Sequence, residues 1–362
     1  MAANLPWDIT IEILSRLPVK SLLRFNCVSK SFYSLISQDS HFKRKHLDHQ
    51  SANHNLILNL EHAPECLFSC SLSSLSSDDQ EDVVVLDNPI KVESWDCLRI
   101  ARSCNGLLCI QDIAGIVCIW NPSTRELKRL PDCPRANDRI ACSLGYDSSS
   151  DDYKVLSIHE SLIGDRVART ELQLCSLKRD SSWRKIQDLP GMKFSWYDSY
   201  DFLNGAFYWI ENVGSYSDLN GPLVIASFDI KKEIFKEFEL FPPTRYSYQY
   251  TVFDVSVLGG KLCLYSLGSD VSFDLWEIEE YGVLKKMLSI RINKIPACSV
   301  SIFKPLYLFE DGKIMIFTRI NYQQEVNIYK DGDSAPKTTA ANCKIRKAYI
   351  CNETLISPHI ND

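Results

Sequence analysis

A chain of 362 residues with 45% hydrophobic and 24% charged side chains has the balance of a folded globular protein, which excludes disorder as its main state and leaves room for two domains. No apolar run reaches the length of a membrane helix, the nearest candidate, 107–120, being broken by Gln111 and Asp112. Net charge is −6: residues 1–50 hold seven Lys/Arg against four Asp/Glu and the rest 33 against 42, so the larger part lacks the basic face that nucleic acid demands, while a basic protein partner is allowed without being demanded.

The chain opens "NLPWDITIEILSRLPVKSLLRFNCVSKSFYSLI" at residues 4–36. Asp8 and Glu12 interrupt its apolar character and no basic run precedes it, unlike a signal peptide. Pro6 suits a first helical turn, where a missing N–H costs nothing. Ile9, Ile13, Leu14 and Leu17 recur at helical spacing as one apolar stripe. Pro18 stops that helix and starts another, in which Val19, Leu22 and Leu23 begin a second apolar face; Val28, Phe32, Leu35 and Ile36 mark a third. Three short helices in so few residues cannot bury all these side chains among themselves, so part of the stripe is expected to be an interface.

Residues 1–40 are thus a helical module, 41–53 read as a linker, and 54–362 as a second domain. His41, His46 and His49, with His54, His62, Cys66 and Cys70 beyond, are legitimate metal-ligand types. Their spacings match no familiar finger, and Lys43, Arg44 and Lys45 would repel a cation; the expectation is a solvated stretch with no metal and no cofactor.

After residue 53, short runs rich in Val, Ile, Leu, Phe and Tyr alternate with turn clusters such as "NPST", "DSSSDD" and "DIKK", the texture of an all-β body. It repeats: "SCNGLLCI", "FLNGAFYWI", "VLGGKLCLYSL" and "FEDGKIMIF" each place a turn glycine before an apolar strand. Gly205, Gly260 and Gly312 are 55 and 52 residues apart, and Gly106 precedes Gly205 by 99, about two such steps. Similar hairpins follow, for example "VCIWNPSTRELKRLP" and "IASFDIKKEIFKEFELFP". A period near 50 built of short strands predicts a β-propeller of about six blades, with seven acceptable and a β-sandwich as the alternative. Residues 71–82, "SLSSLSSDDQED", read as an acidic loop between early strands. The 14 cysteines contain no Cys-x-x-Cys and suit buried small apolar positions in a reducing compartment, cytoplasmic or nuclear.

Catalytic signatures are missing where they would be sought. His159-Glu160 begins like a zinc-protease motif, but Ile163 stands where the second histidine belongs. Leu262 after Gly260-Lys261 denies a phosphate loop, and no Gly-x-Ser-x-Gly elbow occurs.

The opening segment, "LPWDITIEILSRLPVKSLLRFNCVSKSFYSLI", closely resembles the F-box motif in its plant form, and "CNGLLCI", "IWNPSTRELKRLP" and "LGYDSSSDDYKVL" resemble the F-box-associated interaction domain, a kelch-like relative of the propeller. The resemblance implies a non-catalytic substrate-recognition subunit of a Skp–cullin–F-box ubiquitin ligase. Its F-box would dock on the Skp-type adaptor, and through it on cullin and a RING subunit, while the β domain holds a protein substrate for ubiquitination. Carried onto this chain, the docking face comprises Leu5, Pro6, Ile9, Ile13, Leu14, Leu17, Pro18, Leu22, Leu23, Phe25, Val28, Ser29, Lys30 and Phe32. Asn26 replaces the family's usual basic or long residue, and Phe32 its usual Trp. The substrate surface is expected on loops at one end of the propeller, in stretches 132–139, 196–200, 216–220 and 245–250, where Trp196, Tyr197, Tyr200, Tyr216, Arg245, Tyr246 and Tyr248 are the candidate anchors. Pollen–pistil self-recognition, immune-receptor turnover and general regulation all fit such a subunit. The rivals are an interaction scaffold that uses the adaptor outside ubiquitin transfer, and a propeller enzyme with convergent polar groups near its axis.

Overall fold

The computed structural model describes the whole chain except residues 1–4, 51–52, 62, 74–82, 87–88, 91–97, 113–114, 133–138, 164–165, 179–181, 190–199, 212–222, 241–251, 269–271, 280–281, 292–299, 321–322, 334–336, 339–344 and 360–362. Of the acidic loop expected at 71–82, Ser71 ends a strand and Leu72 is buried, and residues 74–82 lie outside the described residues.

Both Leu-Pro pairs start helices. Pro6 caps α1 (Trp7–Leu14) and Pro18 caps α2 (Val19–Phe25), each with extended backbone at the cap. Ser29 caps α3 (Lys30–Tyr33), its hydroxyl accepting from Phe32 N at 3.1 Å, and a π-type turn over Ser34–Gln38 carries that helix on. The stretch read as a solvated linker is instead helical: α4 (Ser40–His49) is capped by Asp39, which accepts from Phe42 N at 3.0 Å. Four-residue spacing explains it, since Phe42 and His46 both face inward and are buried. Lys43, Arg44 and Lys45 are half-buried, Arg44 donating to Asp151 and Lys45 pairing with Glu12, and His46, a candidate metal-ligand type in the sequence, packs inside with its ring 6.5 Å from Phe42.

The rest is a six-bladed propeller of four-stranded antiparallel sheets. Blade 1 combines His54–Leu60, Ala63–Ser71 and Val84–Leu86 with the last strand, Ile345–Asn352, as its inner strand. Blades 2 to 6 occupy residues 98–129, 139–188, 201–240, 252–291 and 300–338 in order. Ring closure is therefore non-local: Ile57 pairs with Tyr349 and Leu58 with Ala348. Six apolar clusters fill the six gaps between neighbouring blades. Leu156, Phe207 and Trp209 lie between blades 3 and 4, for example, and Leu56, Met315 and Ile345 between blades 6 and 1. Because each blade is covered on both faces, strands such as Leu108–Asp112 read as apolar runs rather than alternating ones.

The repeated glycines sit where the period put them. Gly106, Gly205, Gly260 and Gly312 have φ between +74° and +83° in the first-to-second-strand turns of blades 2, 4, 5 and 6. Blade 3 turns without glycine, through Asp151 at φ 51° between paired Asp147 and Asp152, which explains the double step of 99 residues.

Candidate adaptor-docking face and the two ends of the propeller

The apolar stripe of the opening helices divides in two. Leu14 and Leu22 point inward and form a core with Val19, Leu35, Ile36 and Phe42, so these two belong to the fold and not to a docking face. Leu17, Leu23, Phe25 and Phe32 are partly buried against that core. Leu5, Ile9, Ile13 and Val28 are 60%, 47%, 48% and 63% exposed, and Pro6, Pro18, Ser29 and Lys30 are also exposed. Trp7 and Tyr33, which periodicity did not single out, join them at 46% and 50%. The Trp7 ring lies 5.9 Å from Phe32, which in turn meets Phe25 edge-on at 6.2 Å. Six of the eleven large hydrophobic side chains exposed among the described residues thus fall between residues 5 and 33, a density of the kind seen at protein interfaces.

Helix α4 braces this module. The carbonyl of Leu17, at the α1–α2 junction, accepts from His46 Nε2 at 2.9 Å, and Gln50 Nε2 donates to Arg16 O at 3.3 Å. Lys45 pairs with Glu12 and holds its carboxyl below the usual range. Of the other candidate ligands, His54 packs on Tyr307 with the rings tilted by 60° and 4.8 Å between centres, and no group of three metal-ligating side chains is assembled among the described residues; His62 lies outside them.

Strands alternate in direction within each blade, so first-to-second and third-to-fourth connections share one end of the propeller. The helical module lies at that end: Arg44 of α4 donates to Tyr146 and Asp151 at the first turn of blade 3, its guanidinium 4.8 Å from the centre of the Tyr146 ring. The candidate substrate stretches are all connections of the other kind, joining blades 2 to 3, 3 to 4 and 4 to 5 or the middle strands of blade 4. The strand ends that flank them lie at the end opposite the helices. Trp196, Tyr197, Tyr216, Arg245, Tyr246 and Tyr248 themselves lie outside the described residues. Tyr200 does not serve as an exposed anchor: it is fully buried between blades 3 and 4, 5.3 Å from Trp209, and its hydroxyl donates to Ala141 O at 3.1 Å. It immediately precedes the inner strand Asp201–Leu203, and the interblade gap claims the ring.

At the axis, Arg102 follows the inner strand of blade 2 and reaches the inner strands of three others. It forms an ion pair with Asp201 at 2.8 Å, donates to Val257 O and Pro305 O at 2.9 Å each, and bonds the Ser256 hydroxyl. Asp201 is only 2% exposed and also accepts from Val257 N at 2.6 Å. A cavity of about 110 Å³ beside this fork is lined by Arg102, Ser103, Ser143, Leu144, Phe202 and Val257. The cation that lines it, Arg102, is already held by Asp201, Ser256, Val257 and Pro305, which suits a tie between blades better than a reaction centre. Elsewhere Ser157 Oγ lies 2.8 Å from His159 Nε2, beside Cys142, but all three are buried within blade 3. Burial pushes the thiols of Cys104, Cys142, Cys175, Cys263 and Cys351 up to about 12, so they pack as small neutral groups.

Comparison with known proteins agrees with both halves. Residues 3–44 match the F-box domain, and residues 55–326 match the F-box associated beta propeller domain. The chain is 30% identical over 340 residues to F-box protein CPR1 of Arabidopsis thaliana, covering 86% of this chain and 78% of that one. It is 27% identical over 388 residues to F-box/kelch-repeat protein At3g23880 of the same plant, covering 98% and 96%. F-box protein At2g21930, also from Arabidopsis thaliana, is 28% identical over 290 residues, covering 77% and 70%. A helical module with its apolar side chains turned outward, on a closed six-bladed ring that matches over most of its length, places this chain in the family of F-box proteins with an F-box-associated β-propeller domain.

Proposed function

We propose that this protein is a non-catalytic substrate receptor of a Skp–cullin–F-box ubiquitin ligase. Its exposed helical side chains dock on the Skp-type adaptor, which links it to cullin and a RING subunit, and the far end of the propeller holds a protein substrate. The observation that carries the reading is the outward set Leu5, Trp7, Ile9, Ile13, Val28 and Tyr33 on an otherwise well-packed F-box. Burying each aliphatic member is worth about 1.5–3 kcal/mol before association costs, so four or five suffice for a stable subunit contact. Tethering substrate and ubiquitin-charged enzyme to one scaffold makes transfer quasi-intramolecular, which is all the acceleration such a subunit has to provide. The acidic balance of residues 51–362, 33 basic against 42 acidic, favours a basic substrate. The ten cysteines among the described residues are all free, which supports a reducing compartment, cytoplasmic or nuclear.

Co-purification of the intact protein with a Skp-type adaptor and cullin tests the reading. Ile9→Asp with Ile13→Asp is expected to weaken adaptor binding at least about tenfold, with the propeller still folded. Retention of full affinity by that variant, or failure of the wild-type protein to bind any adaptor, would overturn it. Adaptor capture without cullin would favour an assembly scaffold outside ubiquitin transfer.

A further inference from the structure

Residues 353–359 follow the last strand and lie beyond both matched segments, yet they connect the two halves of the molecule. Leu355, 3% exposed, is a member of the helical core with Leu14, Val19 and Leu22, although more than 300 residues separate them. Beside it, Glu353 accepts from Val19 N at 3.4 Å, the first amide of α2, and from Asn55 Nδ2 at 3.5 Å in blade 1. On the propeller side, Asn121 Nδ2 donates to Thr354 O at 3.0 Å and to Ile356 O at 2.7 Å. The Asn121 side-chain oxygen meanwhile accepts from Ser123 N and Thr124 N at 2.7 and 3.2 Å, so the amide is held rigidly in its turn. Ile356 packs on the cluster between blades 2 and 3.

Gly106 makes room for this segment. A Cβ there would stand 2.4 Å from Thr354 Cγ2 and 2.6 Å from Asn352 O, where no side chain fits. Arg44 supplies a second attachment at blade 3, where its target Asp151 also receives Lys178 at 2.9 Å. A module pinned to blade 2 through its core and to blade 3 through α4 cannot turn about a single hinge.

We propose that residues 353–356 form a latch that completes the F-box core and, with Arg44, holds the helical module at one angle to the propeller. In the ligase this sets the direction in which the substrate end faces the ubiquitin-charged enzyme. Leu355, Asn121 and Arg44 are then positioning residues for transfer, without touching adaptor or substrate. The consequence for transfer rests on the ligase reading; the latch itself rests on the contacts above.

The test uses the full chain and two variants, Leu355→Ala and the pair Asn121→Ala with Arg44→Ala. In the free protein, hydrogen exchange across α1–α4 is expected to rise at least about tenfold in Leu355→Ala while blades 4–6 stay protected, and small-angle scattering of the paired variant is expected to show a longer maximum dimension. With Skp-type adaptor, cullin and RING subunit assembled on it, the paired variant should bind adaptor within about twofold of wild type but modify a broader set of its own lysines, mapped by mass spectrometry. A loss of folding alone would not leave affinity intact while changing that pattern. Unchanged exchange and unchanged scattering would overturn the latch. An unchanged lysine pattern would overturn its role in positioning. If the wild-type protein binds no adaptor while exchange and scattering respond as expected, the latch stands and the ligase reading falls.

Discussion

Leu14 and Ile13 are neighbours in sequence with opposite duties. Leu14 is 4% exposed in the helical core and Ile13 is 48% exposed on the outer side, where adaptor docking is proposed. Leu14→Ala should therefore cost about 2–4 kcal/mol of stability in chemical denaturation, whereas Ile13→Ala should cost under about 0.5 kcal/mol and show itself in adaptor affinity instead. His46 adds a pH dependence. Its Nε2–H is bonded to Leu17 O, its Nδ1 is buried without a partner, and burial pulls its pKa below the ordinary 6.5. The unfolded chain binds the extra proton near pH 6.5 and the folded chain only at lower pH, so the unfolded state holds more protons in that window. Stability of the helices is thus complete above pH 6.5 and declines as pH falls below it. Thermal unfolding should show a lower midpoint at about pH 5.5 than at about pH 7.5, and His46→Gln should shrink the difference. His54, also pulled down by burial, contributes with the same sign. Residue identity alone showed which side chains were apolar in α1, but not that adjacent ones face opposite ways once α4 packs on one side. The same limit applies to Tyr200, whose aromatic ring beside a loop reads alike whether it meets a partner or a neighbouring blade.

At the scale of elements, local turn chemistry was the most legible layer. Four glycines at a repeated spacing gave the blade count its basis because tight hairpin turns, two residues long at Gly106, Gly205 and Gly260 and longer at Gly312, need positive φ, a demand that involves no distant residue. Blade 3 escaped the pattern because an aspartate in a longer turn meets the same need. These glycines are not equivalent. Gly260→Ala meets open space and should cost about 1 kcal/mol of backbone strain, whereas Gly106→Ala strains the backbone and also collides with Thr354. Denaturation is expected to rank Gly106→Ala well above Gly260→Ala, with exchange at residues 353–359 raised only in the former. Helix α4 reads as linker in the sequence because an element with one inward side chain per turn, Phe42 then His46, and a basic stretch between them has no long apolar stripe to announce it.

For the whole molecule, the ring closes through two long-range devices. The last strand pairs with the first, and Arg102 ties inner strands of four blades at the axis. Arg102→Met would leave Asp201, only 2% exposed, without its cation, and should lower stability by about 3–5 kcal/mol in denaturant titration. Adding Asp201→Asn should recover part of that loss, because the uncompensated charge and not the missing contact is the main cost.

The amino-acid sequence by itself determined the division into helices and β blades, the Pro-initiated starts of α1 and α2, the glycine turns and an apolar surplus near the N-terminus. Each depends on a side chain's own conformational preference or on neighbours a few residues away. Only the tertiary structure decided which half of that surplus faces outward, which aromatic fills an interblade gap, and that Leu355, more than 300 residues downstream, completes the helical core. Such contacts form between chain segments that the closed ring brings together, and loop closure over that distance leaves no periodic trace in the residues it joins.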